Sequence, residues 1–248
     1  MKDVDMEPLN LQHISDKEKQ ELIAADAEST ISGTTLGPPE LEFQPVRTLH
    51  VSARGIPVLR LPTPTSELQI DIYDDEGNVA YKSTRTRKCS GNSVLSDSLG
   101  RELIATEYFF GPNRDPVLHM LGSGKEKVLT ISKWTSRTQT FLLPNGRKFT
   151  WEYKKGSDFG AQGKKGTGLV MTSQGKRIAM LIRNDETRTP GSKSCSAGNG
   201  GALILGEDVG AKEGVSEELV VATCLLMLKK EVDRRRALQF AGLAAIIT

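Results

Sequence analysis

EELVVATCLLMLKKEVDRRRALQF, residues 217–240, is the stretch on which the architecture of this chain turns. From Val220 to Leu228 only Thr223 is polar, and charge then arrives in a block. Val215-Ser-Glu-Glu reads as a helix start. Ser216 is an N-cap, Glu217 and Glu218 suit the positive end of the helix dipole, and Val215 can staple onto Val220. Nine apolar-dominated residues are far short of the roughly 20 needed to cross a bilayer. The block KKEVDRRR (229–236) separates them from a second apolar stretch, ALQFAGLAAII (237–247), which is also too short, so no transmembrane segment is expected. Yet the first run is apolar on every face. A helix of that kind must be enclosed on all sides.

What encloses it lies upstream, where the apolar period changes to two. VRTLHVS (46–52), IPVLRL (56–61), LQIDIY (68–73) and NVAYKST (78–84) read as strands, followed by LIATEYFF (103–110), PVLHML (116–121) and KVLTISKW (127–134). TQTFLL (138–143) and RKFTWEY (147–153) enclose Pro144-Asn145-Gly146, a hairpin signal because Asn-Gly accepts positive φ. GLVMTS (168–173) and KRIAMLI (176–182) enclose Gln174-Gly175, and GALIL (201–205) is the last. About twelve short strands without intervening helices form an antiparallel pattern. A barrel of that size is too wide for its own side chains to fill, which leaves room for a helical plug. The expected fold is all-β with one C-terminal helix: a closed antiparallel β-barrel of about twelve strands around a buried apolar helix.

The flanks are different. Residues 1–42 hold ten acids and three bases, a net of −7 against +2 for the whole chain, so the body carries about +9. They read as a disordered acidic arm with one short helix, opened by the capping box Ser15-Asp-Lys-Glu18 and running to about Glu28. That helix has only Leu22, Ile23 and alanines to bury and is marginal alone. GTTLGPPE (33–40) reads as a linker. The barrel domain with its central helix then spans 43–236, and 237–248 form an apolar tail. MKDVDMEPLN lacks the basic start and apolar core of a signal peptide. The three cysteines (Cys89, Cys195, Cys224) have neither CxxC spacing nor nearby histidines, so neither a disulfide framework nor a zinc site is expected. A cytoplasmic location, peripheral at a membrane, is the expectation.

A β-barrel threaded by a C-terminal apolar helix resembles the Tubby C-terminal-like superfamily, which includes Tubby, the phospholipid scramblases and the LURP-one-related proteins. Lys133-Trp134-Thr-Ser-Arg137-Thr-Gln-Thr-Phe141, with Gly146 and Phe149-Thr-Trp151, is similar to the tryptophan–arginine–phenylalanine hairpin of its fungal-type members, as is the ending LLMLKKEVDRRR. The resemblance covers roughly residues 46–236. It does not extend to Tubby's phosphoinositide-binding signature, nor to the proline-rich arm and cysteine cluster of the scramblases. It implies a binding module rather than a catalyst.

Catalytic patterns fail one by one. LGSGKEK (121–127) would need glycine at His119 and Ser or Thr at Glu126 to be a phosphate-binding loop. GSDFGAQGKKGTG (156–168) lacks GxGxxG spacing and a following helix, and reads as a flexible hairpin loop, as does the surface insertion TPGSKSCSAGNGG (189–201). No GxSxG is present. His13, His50 and His119 are far apart, and Asp74, Asp75 and Glu76 crowd a turn without the spaced oxygens of a calcium loop. No catalytic residue, metal or cofactor is expected. Trp134 and Trp151 read first as packing and second as a ligand-stacking pair. Basic residues recur at strand ends, and Arg85, Arg87, Lys88, Arg147 and Lys148 are the candidate ligand-binding set, a basic rim for an anionic membrane surface. Aromatics do not interleave with them, so nucleic acid is not expected. The sequence therefore points to a non-enzymatic module recognising anionic lipid headgroups or a protein partner. The alternative is an enzyme, or an accessory protein of a biosynthetic pathway, using the barrel mouth and the two glycine-rich loops as a pocket. A deep pocket with converging polar side chains favours the second; a convex basic rim favours the first.

Overall fold

The computed structural model describes residues 15–31, 43–57, 67–87, 90–112, 114–122, 125–211 and 214–247. The arm at 1–14, the linker, most of the strand expected at 56–61, Lys88 and Cys89 lie outside them. Helix α1 is Asp16–Ile31, and fourteen strands follow. They are β1 (Pro45–Ser52), β2 (Ile56–Pro57), β3 (Gln69–Tyr73), β4 (Val79–Thr84), β5 (Ser93–Asp97), β6 (Glu102–Glu107) and β7 (Val117–Met120). Then come β8 (Lys127–Thr130), β9 (Gln139–Leu142), β10 (Lys148–Gly156), β11 (Gly166–Ser173), β12 (Lys176–Ile182), β13 (Cys195–Ala197) and β14 (Gly201–Gly206). Helix α2 (Glu217–Ile247) closes the chain.

Twelve of the strands form one closed antiparallel barrel in the order β1-β14-β12-β11-β10-β9-β8-β7-β6-β5-β4-β3. Each barrel strand pairs with its neighbour in sequence except at one seam, where β1 pairs with β14 from Pro45↔Gly206 to Val51↔Gly201. The barrel includes Ser93–Asp97, which shows little apolar alternation, and excludes Ile56–Pro57, which pairs with β13 in a separate two-stranded sheet. Inward positions alternate as the pleat requires: Leu49 and Val51 on β1, Ile70 and Ile72 on β3, Phe149 and Trp151 on β10, Leu203 and Leu205 on β14 are all buried. They share one core cluster with α2 residues from Leu219 to Leu228.

Because neighbouring strands are antiparallel, alternate connections fall at opposite ends. Those after β3, β5, β7, β9 and β11 are tight turns, such as Asn145-Gly146 with Gly146 at φ 81°. This is the turn end. The connections after β4, β6, β8, β10 and β12 are longer and gather at the loop end, where β13 and β2 also lie. Helix α2 makes contacts with residues at both ends. At its start Glu217 accepts hydrogen bonds from Arg47 Nη1 (2.8 Å) and the Tyr81 hydroxyl (2.9 Å). At mid-length Trp151 Nε1 donates to Thr223 Oγ1 (2.9 Å). Near the loop end Lys230 donates to Gln139, and Arg234 to the Thr135 carbonyl. Every residue from Val220 to Lys230 is buried. The opening capping box forms, with the Ser15 N–H and hydroxyl both donating to Glu18, and Leu22 of α1 is only 2% exposed within the main core.

Candidate functional site

Two glycine-rich connections build a cleft of about 530 Å³ at the loop end. The first, after β10, is not the flexible hairpin expected from its composition. It forms two 3₁₀ turns, Ser157–Phe159 and Ala161–Gly163, and Phe159 packs on the outer face of the barrel against Val170, Met180 and Ile182. Gly168 makes this possible, because a Cβ there would overlap the Phe159 ring. The second wall follows β12. Asn184 Oδ1 accepts the backbone N–H groups of Glu186 and Thr187 at 3.0 Å and so fixes a turn. Arg188 donates to the Asn184 carbonyl (3.1 Å) and pairs with Asp185 (2.9 Å). Lys164 and Lys165 stand exposed on the first wall.

The floor is an ion pair. Arg183 Nη1 meets Glu231 of α2 at 2.6 Å, and the Gly198 N–H donates to the same carboxylate at 3.1 Å. Gly198 takes φ 73°, and a Cβ there would strike Val232, so the second glycine-rich connection approaches α2 as only glycine allows. Burial opposes the charge on Glu231, but Arg183 and these hydrogen bonds outweigh it and hold the carboxyl below its ordinary value. Arg183 likewise rises against burial because Glu231 faces it. Arg137 lies over the Tyr153 ring at 4.6 Å and Arg183 over the same ring at 5.7 Å.

The block KKEVDRRR belongs to this end. Lys229, Lys230, Asp233 and Arg234 are each at most 5% exposed. Lys229 pairs with Asp233 at 2.6 Å, the i,i+4 spacing of one helical turn. Burial pulls Lys229 down, with Asp233 opposing. Burial, assisted by Arg234 and opposed by Asp115, brings Lys230 to about 7. The buried groups at this end and those that act on them comprise seven basic side chains (Arg85, Arg137, Arg183, Lys229, Lys230, Arg234, Arg236) and four carboxylates (Glu67, Asp115, Glu231, Asp233). The cleft walls add Lys164, Lys165 and Arg188 against Asp185 and Glu186, so basic groups outnumber acidic ones here.

Of the five residues picked from sequence, Lys88 lies outside the described residues and the other four do not converge. Arg85 and Arg87 follow β4 at the loop end, whereas Arg147 and Lys148 sit at the turn end, because an odd number of antiparallel strands separates their connections. No single rim holds them. Arg85 is also half-buried, its charge disfavoured by burial and favoured by Asp233 and Glu67. The tryptophans are packing groups: Trp151 is fully buried, and Trp134 meets Phe110 edge-on at 5.1 Å. Cys224 is buried with its thiol pushed up to about 12 by burial, and the Cys195 thiol at the cleft is also raised by burial. His119 pairs with Glu107 at 3.3 Å, on strands away from the cleft. Asp74 serves its turn, accepting the N–H groups of Glu76 and Asn78. Among the described residues no cluster has the composition of a metal site, and no helix is long and apolar enough to cross a membrane. Sequence reading missed Arg183, Glu231, Lys230 and Gln139; the i,i+4 repeats within 229–236 were the only local signal for them. Comparison of the chain with protein-family models, with curated proteins and with solved structures finds no match in any of the three.

Proposed function

We propose that this protein is a non-enzymatic binding module of Tubby-like fold, in which α2 threads the barrel and the loop end receives an anionic lipid headgroup. Threading is supported by the burial of every α2 residue from Val220 to Lys230 and by partners from β1, β4, β9 and β10, strands spread around the ring. The observation that carries the binding reading is the excess of cations beside an open polar cleft at that end. Basic side chains gathered around a cleft raise the local potential and draw in an anion.

Vesicle co-sedimentation tests the reading. Phosphoinositide-containing vesicles should bind at low salt and neutral ones should not, with binding falling steeply by 1 M salt, where the Debye length is about 3 Å. Each near-surface cation is worth about 1 kcal/mol, so Lys164→Gln with Lys165→Gln should weaken binding about thirtyfold. Arg147→Gln with Lys148→Gln, at the opposite end, should leave it unchanged. Equal, negligible binding to both vesicle types replaces the lipid reading with a protein partner.

A second reading has the cleft itself in its favour: an enzyme, or an accessory protein of a biosynthetic pathway, working between the two glycine-rich loops at the barrel mouth. Against it, the described cleft lining contains no histidine, Cys195 is held in its thiol form, and two of its cations are committed to carboxylates.

A further inference from the structure

Lys230 and Arg234 stand one helical turn apart on α2; Lys230 reaches the first residue of β9 and Arg234 the segment just before it. Lys230 Nζ donates to the side-chain oxygen of Gln139, and Arg234 Nη2 donates to the Thr135 carbonyl at 2.7 Å. Gln139 is fully buried, and its amide nitrogen donates to the carbonyls of Ser136 (2.7 Å) and Thr138 (2.9 Å). That fixes its oxygen toward Lys230 as a neutral acceptor, which serves an amine and an ammonium alike. The charged groups reaching Lys230 are Arg234 on its own helix, which disfavours a proton, and Asp115 from the segment after β6, which favours one. Arg234 belongs in turn to the cluster around Tyr153 that also holds Arg137, Arg183 and Glu231, and Arg183 and Glu231 line the cleft.

We infer that Lys230 couples anion binding at the loop end to proton uptake, so that a ligand with two or more negative charges binds more tightly as the pH falls from 8 to 6. The inference rests on the anion-binding reading above and adds its regulation. Without ligand, the burial of Lys230 and the positive charge of Arg234 favour the neutral amine. A bound anion offsets that positive field, and the amine takes a proton from solvent. Ligand and proton then stabilise one another, as linkage requires.

Calorimetry with myo-inositol hexakissulfate, whose sulfates do not titrate in this range, reads the coupling directly. In two buffers of different ionisation enthalpy at pH 8, the wild-type protein should take up about one proton per ligand, and affinity should rise about tenfold between pH 8 and pH 6. Lys230→Met should bind without that pH dependence. The buffer comparison needs no variant, so a poorly folding substitution does not leave the inference unexamined. Cardiolipin vesicles, whose headgroup carries two phosphodiesters that stay ionised in this range, identify a lipid source for the anion if they show the same shift, and a shift with the soluble probe alone identifies a free one. Binding with equal affinity at both pH values and no proton uptake overturns the inference while sparing the reading beneath it. No binding of either probe at any pH overturns both. Uptake that persists undiminished in Lys230→Met shows that another group carries the proton.

Discussion

Lys230 shows at single-residue scale how burial becomes a pH response. Its folded value near 7 lies below the unfolded 10.5. Between those values the unfolded chain binds more protons than the native one, so stability rises with pH. The penalty is complete below the folded pKa and vanishes above the unfolded one. Wild-type protein should therefore gain about 2 kcal/mol from this group between pH 7 and pH 9. Lys230→Met should lack that gain, which denaturant midpoints at the two pH values measure. Above about pH 10 three tyrosines act in the opposite sense, since Tyr81, Tyr108 and Tyr153 all resist ionisation. Leu225 gives a harsher test. It is 5% exposed within the apolar run, and Leu225→Asp buries a carboxylate among apolar side chains, with Arg85 and Lys229 in the same pocket already answered by Glu67 and Asp233. A loss of several kcal/mol and failure to fold cooperatively are expected. A soluble variant with a sharp melting transition assigns α2 to the periphery.

At the scale of elements, the strands were legible wherever burial on one face wrote an alternation into the sequence. Phe149 and Trp151, or Ile70 and Ile72, announce themselves in this way. β5 did not, because only Leu95 of Ser-Val-Leu-Ser-Asp is fully buried, and its membership rests on backbone pairing with β4 and β6. Ile56–Pro57 carried a strand-like composition yet went to a side sheet, where Pro57 stands opposite Cys195. The glycine-rich loops misled for a different reason. Their glycines read as freedom, whereas Gly168 and Gly198 serve close approach to Phe159 and to α2. Helix α1 was legible from its capping box, but its anchorage was not, since nothing local states that Leu22 enters the main core. Leu22→Ala should cost about 2 to 3 kcal/mol, shifting the melting temperature by several degrees while the transition stays cooperative. An unchanged melting temperature detaches α1 from the folding unit.

Across the whole molecule, the candidate site could not be read because its pairs join distant positions. Arg183 meets Glu231, Gln139 meets Lys230, and Thr135 meets Arg234, each linking a strand or its connection to the last helix. A linear reading sees 229–236 as a hydrophilic break between apolar runs, which is the opposite of its burial. The same limit separates the two halves of the basic set first chosen. Parity of the strand order, a property of the closed ring, sends Arg87 and Lys148 to opposite poles.

The seam between β1 and β14 also governs how the chain can be born. Eleven of the barrel's twelve strand pairings join barrel strands that follow one another along the chain, and are available to a growing polypeptide soon after each strand emerges. The seam is not: Val51 must wait for Gly201, and only after that do the residues of α2 appear. Through most of synthesis the ribosome therefore holds an open, curling sheet, one face greasy and both edges unpaired, a state inviting edge-to-edge association. Loop closure over that span is slow relative to the local hairpins. A nascent chain arrested before Glu217 should be a client of holding chaperones, and emergence of α2 should be the event that frees it.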